Sequence, residues 1–307
     1  MTGTLWVTGA AGFSGKHMVR LLTGLPEKPR LVGLDVAEAG PQGLDAYRRL
    51  DLNETEAVVS AAREDRPSWV IHLAAAMPPA DEAQMWRVNV GGTVSLLSGL
   101  ASAGCDGCRV VGVGSAAEYL PLLEGSLAED SPCGGASLYG RVKWAQTLVT
   151  REAGRQLGLA VMVARTFNLI GPGISVSFVP GWLCKQFAQS EPLTEITIGN
   201  TKSSRDFVDI RDAVAAYWAL AQQGEPGEVY NVCSGRATRI QDLIDLLCEL
   251  TGHAPKIRVD PARLRGADPP VSYGDYGKLA RRTGWRPRLS LRDSLDGMLK
   301  AQDGADD

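Results

Sequence analysis

Histidine and cysteine are scarce in this 307-residue chain, which has three of the first and six of the second. The scattered cysteines argue against a disulfide scaffold and favour a reducing compartment. Cys105 and Cys108 form a C-x-x-C pair, but no second pair or nearby histidine completes a zinc site. His17, His72 and His253 are far apart in the sequence and lack ligand spacing, so we expect them to be structural. The sequence therefore predicts no metal site.

The chain also has little net charge and no long apolar run. Its formal net charge is −3 at pH 7, without the basic excess typical of nucleic-acid-binding proteins. No apolar run approaches the length of a membrane span, and a predicted strand begins almost at the N-terminus, where a signal peptide would stand. We therefore expect a cytoplasmic globular protein with no nucleic-acid or membrane partner.

A glycine-rich turn near the N-terminus is the first positive signal. A β-prone run, Leu5 to Thr8, leads into Gly9, Gly12 and Gly15, and an amphipathic helical stretch follows. Unpaired amides at a helix N-terminus attract anions, and glycines permit a tight turn and close approach of a diphosphate. The spacing differs from the usual G-x-G-x-x-G fingerprint, so the turn alone leaves nucleotide binding open.

An acidic residue strengthens the nucleotide interpretation. A second apolar run ends in Asp35, about 20 residues past the glycines. A carboxylate there accepts hydrogen bonds from both ribose hydroxyls of an adenosine and repels a 2′-phosphate. The sequence thus favours NAD(H), with NADP(H) as the alternative cofactor. The competing interpretation is that Asp35 only caps a turn.

Short apolar runs alternate with helical stretches through the first half, as in a parallel α/β sheet. The helix predicted at 88–103 would bury a stripe formed by Val90, Val94, Leu97 and Leu100. The other predicted elements are strands at 69–75, 109–113, 159–166 and 228–233, and helices at 138–157, 208–222 and 240–250, followed after a loop by two closing helices.

Three polar residues suggest carbonyl–alcohol chemistry. Tyr139 and Lys143 are four residues apart on a predicted helix, so they share one face, and Ser115 ends a predicted strand. An ammonium group beside a phenol, together with an oxidised nicotinamide, favours the phenolate and lowers the phenol pKa. Tyr139 could then exchange a proton with a substrate oxygen while a nicotinamide exchanges hydride with the carbon. The alternative is an ordinary amphipathic helix.

Together these motifs resemble the extended short-chain dehydrogenase/reductases that act on nucleotide sugars, and the resemblance covers nearly the whole chain. The residues that carry it are Thr8-Gly-Ala-Ala-Gly-Phe-Ser-Gly15, Asp51-Leu52, Leu73-Ala-Ala75, Asn89-Val-Gly-Gly-Thr93, Ser115, Tyr139-x-x-x-Lys143 and Arg165-Thr-Phe-Asn168.

This resemblance implies a Rossmann-type, doubly wound parallel sheet with a smaller C-terminal substrate domain. The Rossmann domain would span 1–168 and be joined by about 206–234, and the nucleotide-sugar domain would comprise 169–205 and 235–307. Asn89 would hold the chain between sheet and helix near the site. The implied cofactor contacts are Gly9, Gly12, Phe13, Ser14, Asp35, Asp51, Leu52, Leu73, Ala75, Tyr139 and Lys143.

Motifs in the C-terminal half resemble the branch of GDP-mannose 4,6-dehydratase and GDP-4-keto-6-deoxy-D-mannose reductase. In that branch, arginines matching Arg205 and Arg265 grip the diphosphate, and an acid matching Asp268 binds ribose hydroxyls; Asn168 and Val179 would line the same site. The bland alternative for either arginine is a solvated surface charge. The motifs are Phe167-Asn-Leu-Ile-Gly-Pro-Gly173, Arg205-Asp-Phe-Val-Asp-Ile-Arg-Asp212, Val229-Tyr-Asn-Val-Cys-Ser-Gly235, Asp260-Pro-Ala-Arg-Leu-Arg265 and Thr283-Gly-Trp285.

The residues after Ser115 favour reduction over dehydration. A 4,6-dehydratase needs a carboxylate just after this serine, where Ala116 and Ala117 stand here. Glu118 follows, and in a strand-like backbone it would face the opposite way from the site.

The expected activity is therefore reduction of the 4-keto group of a GDP-4-keto-6-deoxyhexose to a GDP-D-rhamnose-type product, a step of deoxysugar biosynthesis, with Tyr139 as acid/base. An NAD-dependent NDP-hexose 4-epimerase is the second hypothesis, a 4,6-dehydratase is disfavoured, and a catalytically silent NAD(H)-sensing protein is the third hypothesis. The resemblance also implies a homodimer that pairs the helices at 88–103 and 138–157 in a four-helix bundle.

Overall fold

The computed structural model describes residues 3–122, 125–189, 191–263 and 271–303. Within these ranges, none of the helices combines the length and the apolar composition needed to cross a bilayer. The strands β1 to β14 are Thr4–Thr8, Arg30–Asp35, Ala46–Arg49, Pro67–His72, Arg109–Ser115, Ala160–Thr166, Asn168–Ile170, Glu195–Ile198, Ser204–Arg205, Phe207–Asp209, Val229–Val232, Thr238–Arg239, Lys256–Val259 and Val271–Ser272. The helices α1 to α10 are Phe13–Thr23, Thr55–Asp65, Glu82–Met85, Gly92–Ser102, Leu138–Leu157, Val179–Phe187, Ile210–Gln223, Ile240–Thr251, Gly277–Thr283 and Leu291–Asp303.

A seven-stranded sheet draws its strands from residues 4–232, in the order β11-β6-β5-β4-β1-β2-β3 with every pair parallel. This order confirms the Rossmann-type doubly wound fold. The strand sequence reverses direction between β1 and β4, and such a switch point opens a crevice at the carboxyl ends of the strands. Thr8 pairs with Leu34 on one side and with His72 on the other, so these strand ends are level.

Helices cover both faces of the sheet. Alternate residues of each strand point to opposite faces, so every strand contributes side chains to both helical layers. In β1, Leu5 and Val7 pack on the side of α1 and α7, whereas Trp6 packs on the side of α2 and α4. With both faces buried, the strands consist largely of aliphatic residues.

A second apolar core lies in the C-terminal half, between α6, α8 and α10 and the short pair β8 and β13. Phe187, Leu243 and Leu295 lie at its centre and are almost completely buried. This core fits a separate substrate-binding unit, although the predicted domain boundaries stay a prediction.

Most predicted elements are present, and α5 has the predicted bounds 138–157. Two local predictions are wrong. The strand predicted at 69–75 is β4 and ends at His72, before the loop that crosses the crevice. The helix predicted at 88–103 begins with a π-helical segment, Trp86–Gly91, before α4. Of the predicted apolar stripe, Leu97 and Leu100 are buried and Val90 is half-buried, whereas Val94 is 42% exposed.

Candidate active site

The glycine turn between β1 and α1 has the shape of an anion cradle. Gly9 has a φ of +67°, and a Cβ there would lie 2.7 Å from the Ala74 backbone nitrogen. A Cβ at Gly15 would clash with the carbonyl oxygens of Gly9 and Ala10. Gly12 is the N-cap of α1 and provides no capping side chain. The glycines at 9 and 15 keep the turn against the sheet, and the first amides of α1 fit a diphosphate group.

Asp35 stands at the end of β2 beside this turn. Its carboxylate accepts hydrogen bonds from the backbone nitrogens of Ala11 at 2.9 Å and Ala37 at 3.1 Å. The turn-capping interpretation is therefore correct as far as geometry goes. It does not conflict with a ribose contact, because a carboxylate has further lone pairs and Asp35 is only half-buried. The ribose contact stays a prediction.

The remaining predicted cofactor residues differ in their burial and in their hydrogen bonds. Asp51 accepts hydrogen bonds from Asn53 and from Arg87 at 3.0 Å; burial opposes ionisation of Asp51, but these bonds outweigh it and lower its pKa. The Leu52 side chain is buried in the core under α2 and α4. The Leu73 nitrogen donates to the carbonyl of β1 at Thr8, 3.2 Å away. Three predicted residues, Ala75, Phe13 and Ser14, are exposed or half-buried around the crevice.

Asn89 holds the loop that follows β4. Its side chain donates to the Ala76 carbonyl at 2.7 Å and accepts from the Ala76 nitrogen at 3.0 Å. This two-way bond joins the π-helical segment before α4 to the loop after β4, which fits the role that the resemblance implies for Asn89.

The side chains of Ser115, Tyr139 and Lys143 converge at the carboxyl end of β5. Ser115 ends that strand, and Tyr139 lies in the first turn of α5. The turn that follows β5 packs closely on α5, since a Cβ at Gly140 would clash with the Ala117 carbonyl. Lys143, one helical turn further on, is buried and donates a hydrogen bond to a carbonyl of β5, that of Val113, at 2.6 Å.

Burial controls the ionisation of both groups. It raises the pKa of Tyr139 to about 12, against the opposing effect of a hydrogen bond with Ser115. It lowers the pKa of Lys143 to about 8, against the opposing charge of Glu118. Without the cofactor, burial thus raises the Tyr139 pKa; the expected lowering involves an oxidised nicotinamide and stays a prediction. The cost of burying a phenolate outweighs stabilisation by nearby groups.

The backbone at Glu118 differs from the expected strand-like continuation after Ser115. Residues Ala116–Glu118 form a 3₁₀ turn instead of a strand continuation. The Glu118 carboxylate folds back under the site and accepts hydrogen bonds from the Ser115 nitrogen at 2.7 Å and from Arg165 Nε at 2.9 Å. Both members of this ion pair are buried, and the Arg165 guanidinium stacks over the Tyr119 ring at 4.5 Å. The carboxylate is thus occupied by structural partners.

Two of the predicted sugar-nucleotide residues, Asn168 and Arg205, lie next to Asp206. The nitrogen and side chain of Asn168 donate to the Asp206 carbonyl at 3.1 and 3.0 Å, and Arg205 is its neighbour in the chain. The buried Asp206 carboxylate accepts four hydrogen bonds, two from Ser234 at 2.7 Å and one each from Gly235 at 2.9 Å and Gly274 at 3.2 Å.

Val179 begins α6 and is 41% exposed. Arg265 and Asp268, the other predicted substrate residues, lie outside the described residues.

Three residues around the site were not singled out by sequence reasoning: Gln146, Asp206 and the buried His72, which was expected to be only structural. Gln146 had one local signal, since it lies three residues after Lys143 on the same helix. Asp206 and His72 had no signal of this kind, because their partners are distant in the sequence.

Comparison with known proteins places this geometry in context. The model of the NAD dependent epimerase/dehydratase family matches residues 5–233. GDP-6-deoxy-D-mannose reductase of Pseudomonas aeruginosa is 34% identical over 308 residues, which cover 97% of each chain. The structure of RMD from Pseudomonas aeruginosa complexed with NADPH matches with a TM-score of 0.84 at 32% identity, covering 98% of this chain and 99% of the other. UDP-glucose 4-epimerase with UDP-glucose from Thermotoga maritima matches with a TM-score of 0.88 at 25% identity, covering 99% and 100%.

Proposed function

The chain belongs to the NAD dependent epimerase/dehydratase family, and from this premise we propose that it reduces the 4-keto group of a GDP-4-keto-6-deoxyhexose. It is an NAD(P)-dependent oxidoreductase that acts on nucleotide sugars, as its relatives are. The product would be of the GDP-D-rhamnose type. The observation that carries the proposal is the convergence of Ser115, Tyr139 and Lys143 at the carboxyl end of β5, on the same edge of the sheet as the glycine turn and separated from it by β4.

The ionisation of Tyr139 suits a reduction. When bound, the reduced nicotinamide supplies hydride to C4 of the sugar. Tyr139 donates its proton to the C4 oxygen, and Ser115 hydrogen-bonds the same oxygen. A phenol with a pKa of about 12 is fully protonated at neutral pH, which is the form that a proton donor needs. The Lys143 ammonium stabilises the phenolate that remains after the transfer.

Dehydration is disfavoured by the surroundings of Ser115. Removal of the C5 proton and loss of the C6 hydroxyl need an additional acid/base close to the sugar. Ala116 and Ala117 carry no such group. Glu118 is buried in its ion pair with Arg165, so it is not available to the substrate.

The recognition of cofactor and substrate follows the same reasoning. Asp35 favours NAD(H) over NADP(H) by repelling a 2′-phosphate, although a structural relative was solved with NADPH. Arg205 and Arg265 would bind the diphosphate, since guanidinium groups suit phosphate oxygens. Asp268 would bind the ribose, and Asn168 and Val179 would line the sugar site. The GDP base is favoured by the 34% identical GDP-sugar reductase.

A homodimer would cover exposed apolar side chains on α4 and α5. Val94 is 42% exposed on the first and Leu148 is 46% exposed on the second, which fits the predicted four-helix bundle. Light scattering should give twice the chain mass, and a Leu148→Glu variant should shift toward monomer. A monomeric wild-type protein would contradict this assembly.

The activity can be tested directly with GDP-4-keto-6-deoxy-D-mannose and NADH or NADPH. We expect cofactor absorbance to fall only when the sugar nucleotide is present, and no fall with either cofactor would refute the proposal.

The second candidate is an NDP-hexose 4-epimerase, which the structural match to UDP-glucose 4-epimerase supports. An epimerase regenerates its cofactor in each turnover, so NAD should remain bound through purification, and the absorbance and mass of the purified protein distinguish the two. A catalytically silent NAD(H) sensor would bind the cofactor but show no turnover with either substrate class.

A further inference from the structure

A continuous series of buried hydrogen bonds connects the candidate catalytic lysine to the strand that precedes the glycine turn. Lys143 Nζ donates to Gln146 Oε1, and Gln146 Nε2 donates to Thr93 Oγ1 at 3.0 Å. Thr93 Oγ1 lies 3.0 Å from His72 Nε2, and His72 Nδ1 lies 2.8 Å from Thr8 Oγ1. All of these side chains are buried, and they come from α5, α4, β4 and β1.

The direction of each bond is determined. The single hydroxyl proton of Thr93 goes to the Asn89 carbonyl at 2.6 Å. The Thr93 oxygen is therefore an acceptor for both Gln146 and His72, which places the imidazole proton on Nε2. His72 Nδ1 then accepts from the Thr8 hydroxyl. Burial, reinforced by the charge of Lys143, lowers the pKa of His72 to about 3, so the ring stays neutral.

These directions orient the carboxamide of Gln146. Its nitrogen must face Thr93, so its oxygen faces Lys143. An ammonium has three protons, and within the described residues Val113 and Gln146 accept two of them. The third proton can then point toward Tyr139 and the crevice.

We propose that Gln146 is a positioning residue, whose carboxamide holds the Lys143 ammonium in place through the buried bonds to Thr93 and His72. The proposal rests on the reductase function proposed above, in which Lys143 supports proton transfer by Tyr139. Gln146 itself does not touch the reacting atoms.

The absence of charge on the Gln146 side chain affects the pKa of Lys143. Among the described residues, the titratable groups that interact electrostatically with Lys143 include Glu118 and the neutral His72, and Tyr139 lies one helical turn before Lys143 on α5. Gln146 provides a hydrogen-bond acceptor for the ammonium without adding a negative charge. The pKa of Lys143 therefore stays at about 8, near the pH at which the enzyme would be assayed. Activity that needs the ammonium should fall as the pH rises through the Lys143 pKa.

Two substitutions at this position should therefore act in opposite directions. Gln146→Glu places a carboxylate against the ammonium and should move the basic limb of kcat upward by about one to three pH units. Gln146→Met keeps the length but removes the acceptor, and should move that limb downward. A role in packing alone would lower kcat or stability in both variants without separating their pH profiles.

The matched control is Gln156→Glu, the same change on an exposed residue of α5 that bonds only to Glu152 among the described residues. Its pH profile should coincide with that of the wild-type protein.

A second measurement reads Lys143 without substrate or cofactor. In protein labelled with ¹³C-lysine, the Lys143 side-chain signal, identified by its loss in Lys143→Arg, should titrate near pH 8 in the wild type. It should titrate higher in Gln146→Glu and lower in Gln146→Met. Midpoints that coincide with the wild type, or that move in the same direction, would overturn the proposal. If the wild type fails to oxidise the cofactor, the reductase function fails, but this titration still decides the role of Gln146.

Discussion

The two walls of the candidate active site are built in different ways. On the nucleotide wall, Thr8 and Ser115 end strands of five and seven residues inside the central sheet, and Tyr139 lies in the first turn of a 20-residue helix. On the side that we propose binds the sugar nucleotide, here called the sugar wall, Asn168 and Arg205 belong to strands of three and two residues outside that sheet.

This difference suggests a division of labour. The nucleotide wall has long elements and fully buried polar contacts, which place the reacting groups accurately and leave little freedom to change. The sugar wall is held together by Asp206, whose carboxylate joins three segments that have little regular structure between them. Substitutions on the first wall should therefore change kcat, and substitutions on the second should mainly change KM.

The largest effect is expected from Tyr139→Phe on the nucleotide wall. Loss of the proton donor should lower kcat by about 10²- to 10⁴-fold, while KM and the melting temperature change little. Steady-state kinetics and thermal unfolding measure these quantities. Turnover equal to that of the wild type would remove Tyr139 from the reaction.

On the sugar wall, Asp206→Asn is the corresponding test. The amide cannot accept all four bonds, so the free energy of unfolding should fall by roughly 2 to 3 kcal/mol. KM for the sugar nucleotide should rise more than kcat falls. Asp245→Asn, an exposed change on α8, is the control. A selective loss of kcat would break the proposed contrast between the walls.

The pH dependence of stability examines the buried contacts of the nucleotide wall. Burial keeps His72 neutral, with a pKa of about 3 against 6.5 in the unfolded chain. Below pH 6.5 the unfolded state binds a proton that the folded state does not, so stability falls as the pH decreases toward 3. Each unit should cost about 1.4 kcal/mol, and His72→Gln should lose this part of the slope. Urea unfolding of the wild type and of His72→Gln at pH 7 and pH 5 measures how the free energy of unfolding changes with pH. An equal change in the two proteins would argue against a buried neutral imidazole.

The smallest effect is expected at the edge of the nucleotide wall. Asp35→Asn should weaken one charge-assisted ribose contact and remove the repulsion of a 2′-phosphate. The ratio of kcat/KM for NADH to kcat/KM for NADPH should fall roughly fivefold, which corresponds to about 1 kcal/mol. An unchanged ratio would leave Asp35 with only its hydrogen bonds to Ala11 and Ala37.

The same contrast explains what the sequence could predict. The glycine turn, α5 and the Tyr139–Lys143 pair depend on contacts between close neighbours in the sequence, so their patterns are visible in it. The bonds of Gln146 to Thr93, or of Asp206 to Ser234, depend on elements brought together only by folding.

The errors have the same origin. The π-helical segment before α4 includes Asn89, whose side chain bonds the backbone of Ala76 in the loop after β4, and no periodic pattern in the sequence indicates this wider turn. The turn at Glu118 depends on an ion pair with Arg165, 47 residues further along the chain. Propensity alone could not have predicted either feature.

The most direct test of the central claim is the fate of a deuterium label. The wild-type protein would be given reduced cofactor in which both hydrogens at C4 of the nicotinamide are deuterium, together with GDP-4-keto-6-deoxy-D-mannose, and the product sugar would be examined by NMR. If Tyr139 protonates the oxygen of a carbon that receives hydride, one deuterium should appear at C4 of the sugar. A product without deuterium at C4, or labelled cofactor that remains unconsumed, would contradict the account.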